Sequence, residues 1–287
     1  MKNRLGIFPF VIVASILSFT FSFGWQNKFP NLKYHKSKET LDKIQTLITN
    51  KQKGVYLRFG DGDINLALGQ HDMLQSANPR LQQEMVEAFL INHPNALKAL
   101  PLYCDEIGKE PGMNIHNHEA SLPWVLDVLE KAQPVWGAPI GDIYTHVALH
   151  YTSTSEPEIC INFLRFLKQA PCFLFVGNQN IPLDIRELLF GSECKYVPTP
   201  PVASYGEIDR IEKDCIDAIG SDDSYKVIVI AMGCSGRALQ KRLWHRYNNV
   251  FLFDFGSLLD ALCGWNTRAW IEGSGFDANS FINQLKK

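Results

Sequence analysis

Lys226-Val-Ile-Val-Ile-Ala-Met-Gly-Cys-Ser-Gly236 is the stretch on which the fold turns. An unbroken apolar run, rich in β-branched residues, ends in a Gly-Cys-Ser-Gly turn. A strand that is apolar at every position must be covered on both faces, which is the situation inside a parallel sheet. Arg237 to Tyr247 then reads as a helix, Val250-Phe-Leu-Phe-Asp-Phe-Gly256 as a further strand, and Leu258 to Leu262 as the start of a last helix. Upstream the same alternation recurs. Cys172 to Gly177 and Lys195 to Pro198 read as strands, and Pro182 to Phe190 and Ile208 to Ile219 as helices. Strands alternating with amphipathic helices predict an α/β domain.

Further upstream, Leu41, Ile44, Leu47 and Ile48 stand at helical spacing within residues 39–50, with Asn50 and Gly54 closing the helix. Val55-Tyr-Leu-Arg-Phe59 follows as a strand and ends in Gly60-Asp61-Gly62-Asp63. Residues 79–92, 121–132 and 157–169 read as helices, 134–138 as a short strand, and 101–120 as the least regular stretch. The expected fold is Rossmann-like: a mostly parallel sheet with helices on both faces. No internal repeat or low-complexity tract interrupts it, and residues 39–287 form its one domain.

The chain has 287 residues, 46% hydrophobic and 20% charged, with a formal net charge of −2. This is ordinary globular composition, and it lacks the basic surplus of a nucleic-acid binder. None of the seven cysteines forms a Cys-x-x-Cys pair, which argues against a zinc site of the usual spacing. Their dispersal and odd number suit buried thiols in a reducing compartment.

Residues 5–25 carry no charge and are long enough to span a bilayer, with Lys2 and Arg4 before them and Trp25 at the far end. We read residues 1–27 as a signal anchor or signal peptide and residues 28–38 as a linker. An Ala-x-Ala cleavage site is absent, which favours the anchor. Lys28, Lys33, Lys36 and Lys38 make the downstream flank at least as basic as the upstream one. That orientation puts the domain on the cytoplasmic side. A cleaved signal would instead make it secreted or periplasmic.

Ligands of open α/β sheets bind at the carboxyl ends of the strands. Four sequences are expected there: Gly60 to Asp63, Gly177-Asn178, Gly233 to Gly236, and Asp254 to Ser257. Asp61 and Asp63, with glycine between, suit one hard cation, Mn²⁺ or Mg²⁺, that takes its other ligands from phosphates and water. Arg58 is a candidate for the same phosphates. By spacing alone the segment reads as readily as a polar turn. A calcium loop is disfavoured, because Leu66 stands where that loop requires glycine. Gly233 and Ser235, between a strand and a helix, are candidates for phosphate binding or for capping. Asp254 is a candidate for a sugar hydroxyl or for a helix cap, with Asp260 a turn further on. For a base the candidates are Glu119, beside His116 and His118, and Asp142, which with His146 and His150 suits one helical face.

Arg58-Phe-Gly-Asp-Gly-Asp63 after an apolar strand resembles the Arg-Phe-Gly-Asp-Gly-Glu motif of the GT-D glycosyltransferase fold, once catalogued as a domain of unknown function. Val227 to Gly233, and Phe253-Asp-Phe-Gly-Ser257 followed by Asp260, are similar to that family's last strand, helix and turn, and Arg268 fits the same pattern. The resemblance implies a glycosyltransferase that holds a divalent metal and the diphosphate of a UDP-sugar on the acidic motif. It implies Arg58 and Gly60 at the donor, and a glycan, lipid-linked or protein acceptor. Two departures stand out: Asp63 replaces the glutamate, and Gly-Cys-Ser-Gly replaces a Gly-Pro-Thr-Ala-like turn. A metal-dependent phosphohydrolase and a membrane-displayed nucleotide-binding domain are the competing readings.

Overall fold

The computed structural model describes residues 33–72, 74–100, 142–170 and 172–287. Within them the strands are β1 (Lys33–His35), β2 (Gly54–Arg58), β3 (Ala96–Leu100), β4 (Asp142–Thr145), β5 (Cys172–Asn178), β6 (Lys195–Thr199), β7 (Lys226–Ala231) and β8 (Val250–Asp254). They form one sheet in the order β1-β4-β3-β2-β8-β7-β5-β6, and every described pairing is parallel.

Alternation along the central strands divides the core in two. Val55 and Leu57 of β2, Ile228 and Ile230 of β7, and Leu252 of β8 face one layer of helices. That layer holds α2 (Asp61–Ala67), α3 (Pro79–Phe89), α7 (Ile208–Ile219) and α8 (Ser235–Arg246). Tyr56, Val227, Val229, Phe251 and Phe253 face the other layer. It holds α1 (Ser37–Thr49), α4 (Ala148–Ser155), α5 (Pro157–Gln169), α6 (Leu183–Phe190), α9 (Leu258–Leu262), α10 (Ala269–Gly273) and α11 (Ala278–Lys286). Central strands so buried contribute roughly 1.5–3 kcal/mol per large apolar side chain before chain entropy is counted. This is why β7 after Lys226 and β8 before Asp254 can dispense with polar positions.

Local chemistry sets most helix ends where the sequence puts them. Leu41, Ile44, Leu47 and Ile48 are the buried stripe of α1. Asn78 caps α3 by accepting from the Leu81 N–H at 2.9 Å, and Pro79 occupies its first turn. The linker expected over 28–38 is corrected at its C-terminal end. Lys33–His35 forms the edge strand β1 against β4, and Ser37 opens α1. Three residues of strand are too few to carry a periodic signal, so only pairing reveals them. The anchor segment, the expected helix over 121–132 and the expected strand over 134–138 lie outside the described residues. Among the described residues no helix is long and apolar enough to cross a membrane.

Candidate functional site

Strands β2, β8, β7 and β5 are consecutive neighbours, so the four sequence-predicted turns line up along one carboxyl edge of the sheet. From β2 the chain proceeds to β3 on one side, while β8 brings β7 and β5 to the other. The β2–β8 boundary is therefore the topological switch point, where such sheets open a crevice.

Gly60-Asp-Gly-Asp63 is a helix start. Gly60 is the N-cap of α2 and Asp61 its first residue. The side chain of Asp61 lies outside what the structure describes. Asp63 Oδ2 accepts from the Gly60 N–H at 2.9 Å, the reach-back half of a capping box. Its Oδ1 is buried without a hydrogen-bond partner. Burial pushes the Asp63 carboxyl above its ordinary pKa; the charges of Arg237 and Arg58 and the Gly60 N–H oppose this, and Asp72 adds to it. Leu66 is fully buried within the same helix, so the segment is no calcium loop.

Asp72, which the sequence reading did not place at the site, is the second carboxylate here. Its Oδ2 accepts from the Leu74 N–H at 3.1 Å. Its Oδ1 lies so close to Gly62 that a Cβ there would stand 2.4 Å away. Gly62 is thus glycine to admit Asp72, not only to permit a turn. A glycine between two acids signals such an approach, but not what approaches. The Cys234 Sγ donates weakly to Asp72 Oδ2 at 3.8 Å. Burial, together with the charges of Asp63 and Asp72, holds that thiol well above its ordinary pKa, so it stays protonated.

The expectation for Ser235 is corrected. Its side chain is 1% exposed, and its Oγ donates to Gln75 Oε1 at 3.1 Å. Gln75 Oε1 also accepts from the Tyr205 N–H at 3.2 Å. Ser235 fastens the loop that carries Asp72, and its side chain does not cap the helix. Gly233 takes a φ of +61° in the turn before α8.

Asp254 is corrected as well. It is 4% exposed, its Oδ1 lies 3.3 Å from Arg58 Nη1, and its Oδ2 is ion-paired with Arg237 Nη2. Both oxygens are engaged by arginines, so the residue positions them and does not cap the following helix. Arg237 was read only as the first residue of a helix. Inside the fold it is 3% exposed and also donates to the carbonyl of Arg58. Arg58 donates through Nε to the carbonyl of His146. Its guanidinium occupies the space beside Gly256, whose φ of +74° no side chain favours and where a Cβ would overlap the Arg58 side chain.

The base candidates separate. Asp142 begins β4, at the amino edge of the sheet, exposed and 2.9 Å from His35 Nε2. It shares no helical face with His146 and His150, because His146 precedes α4 and only His150 is within it. Glu119, His116 and His118 lie outside the described residues. Asp260 accepts from Thr267 Oγ1 at 2.6 Å, and burial raises its carboxyl pKa. Arg268 is exposed, and its charge reaches both Asp260 and Cys234.

No family model and no curated protein matches the chain. Solved structures do. A structure described as a new glycosyltransferase (DUF1792) from Streptococcus sanguinis is 18% identical, with a TM-score of 0.56, covering 77% of this chain and 80% of that one. A structure described as showing that the highly conserved domain of unknown function 1792 has a distinct glycosyltransferase fold is 18% identical, with a TM-score of 0.57 and 80% of each chain covered. A selenomethionine-substituted structure of that domain gives the same values. The α/β fold of this chain is the glycosyltransferase fold of those structures, as the resemblance at Arg58 to Asp63 implies.

Proposed function

We propose that the chain is a metal-dependent glycosyltransferase that takes a sugar from a nucleotide donor, UDP being the expected nucleotide, and passes it to a glycan, lipid-linked or protein acceptor. The observation that carries this reading is the buried, unpartnered Oδ1 of Asp63 beside two arginines at the switch point of a glycosyltransferase-like sheet. A buried acceptor atom without a partner is costly, and it persists where a ligand completes it.

The residues present fit Mn²⁺ or Mg²⁺. Asp63 offers its unpartnered oxygen, Asp72 brings a second carboxylate to the same turn, and Asp61 opens that turn. A hard cation that keeps waters and takes phosphate oxygens needs only one or two such ligands. When bound, it supplies charge neutralisation for a departing diphosphate. The chain's own groups do the rest. Arg58, held by the His146 carbonyl and by Asp254, presents a fixed positive charge.

A phosphohydrolase would draw on more protein ligands. The reading extends to the N-terminus, where residues 5–25 would anchor the domain at the cytoplasmic face of a membrane, beside a lipid-linked or envelope acceptor. The decisive test is thermal stability. UDP at about 100 times its dissociation constant should stabilise the folded chain by about 2.7 kcal/mol when Mn²⁺ is present, and much less without it. Absence of any metal-linked shift with every nucleoside diphosphate tried would refute the reading.

A further inference from the structure

We propose that a notch on the α4 side of Arg58 receives the hydroxyl that attacks the donor sugar, and that His150 takes its proton. The proposal rests on the glycosyltransferase reading above and adds an acceptor side and a base to it. Tyr56, Arg58, His146, His150, Asp254 and Ser257 line this notch. Arg58 and Asp254 form the wall it shares with the Asp63 side of the crevice. A donor whose diphosphate lies against Arg58 therefore has its scissile bond next to the notch.

Three features single out His150. It lies in α4, and its ring stacks on Trp270 with centroids 5.0 Å apart and planes 17° from parallel. Trp270 is buried, and its Nε1 donates to the Ser257 Oγ at 2.9 Å, so a residue of the notch itself locks the platform under the imidazole. A base whose ring plane is fixed is oriented before substrate arrives. Finally, among the described residues, Asp254 and Asp142 are otherwise placed. Both oxygens of Asp254 are held by arginines, and Asp142 is at the opposite edge of the sheet.

The step balances as follows. The neutral imidazole of His150 accepts the proton of an acceptor O–H, from a sugar hydroxyl or water. The electron pair of that oxygen forms the bond to the anomeric carbon. The bond from that carbon to the phosphate oxygen breaks, and its pair leaves on UDP beside Arg58. His146 also lines the notch, and its carbonyl fixes Arg58, so its ring is the comparison for His150.

The experiment follows UDP release by the full-length chain from UDP-glucose and UDP-galactose with Mn²⁺, using water and methyl glucosides as acceptors. His150→Ala and His150→Gln should each lower kcat about 100-fold or more, the scale of general base catalysis. Both should keep the wild-type melting-temperature shift with UDP and Mn²⁺. Free imidazole should restore His150→Ala by about tenfold and leave His150→Gln unchanged, because only the alanine leaves room for it. His146→Gln tests the other imidazole of the notch, and its loss of turnover should be smaller than that of either His150 variant. Full turnover in both His150 variants, a loss that imidazole does not restore, or a loss that falls on His146→Gln instead would overturn the role of His150 while the UDP shift upholds the donor reading. A wild-type chain that UDP and Mn²⁺ fail to stabilise refutes the donor reading, and this inference with it.

Discussion

Arg237 and Arg242 of helix α8 each stand in a network of carboxylates built to a different specification. Arg242 reaches Glu84, Asp209 and Glu212 at 2.7–2.8 Å. Arg80 also pairs with Asp209, and Lys241 with Glu84 and Glu87. Hydrogen bonds from Arg80 and Arg242 hold the Asp209 carboxyl far below its ordinary pKa. Nearly every group in this network has more than one partner, and it clasps α3, α7 and α8 together. Arg237, at the other end of the helix, joins Asp254 and the Arg58 carbonyl inside the protein. There the accounting is short: Arg237 Nε and Asp63 Oδ1 are both buried without partners. The same chemistry fastens a surface where its hydrogen bonds are redundant, and marks a binding site where they are incomplete.

The contrast can be broken by substitution. Arg237→Met should cost about 3–5 kcal/mol in urea unfolding, because it strips a buried carboxylate of one of its two cations. A cost as small as that of a surface pair would erase the distinction between the networks. Asp63→Asn comes next, with effects of opposite sign on stability and binding. The folded chain holds the Asp63 proton more tightly than the unfolded chain does. Its contribution is therefore most favourable below the ordinary carboxylate pKa and is lost as pH rises through the higher folded value. At neutral pH the substitution should raise the stability of the metal-free chain by about 1 kcal/mol and flatten that pH dependence. It should also abolish the Mn²⁺-dependent shift by UDP, as should Asp61→Asn. Calorimetry from pH 4 to 8 with and without UDP and Mn²⁺ checks both, and a wild-type UDP shift in the two variants would remove these residues from the site. The smallest effect belongs to the clasp. Arg80→Ala should cost no more than about 0.5–1 kcal/mol, because Arg80 and Asp209 are more than half exposed and Arg242 keeps Asp209 paired. Chemical denaturation at two salt concentrations measures it, and a loss above 2 kcal/mol would mean that the clasp is as critical as the buried bridge.

Much of the framework was legible because burial writes itself into local pattern. The helix over Ile208 to Ile219 falls where apolar spacing puts it, whereas Leu258–Leu262 is a complete short helix followed by two more and not the start of the last one. The runs at β7 and β8 could belong only to strands covered on both faces. Arg58-Phe-Gly-Asp-Gly-Asp63 stood out because glycine and carboxylates cluster directly after such a strand. Ser235 and Asp254 misled for a related reason. A small polar residue at a strand end looks the same whether it faces a ligand or a neighbour inside the protein. Their true partners, Gln75 for Ser235 and Arg58 and Arg237 for Asp254, are remote in sequence.

The sequence by itself therefore determined the class of fold and the strand ends at which chemistry could sit. These follow from periodicity and from residue types that act within a few positions of one another. Only the tertiary structure decided strand order, which brings the turns of β2, β8, β7 and β5 to one edge. It alone recruited Asp72, Arg237 and the His150–Trp270 pair, and it alone sent Asp142 to the opposite edge. Contacts between residues far apart along the chain are fixed by packing and by the satisfaction of buried charge, and neither leaves a periodic trace.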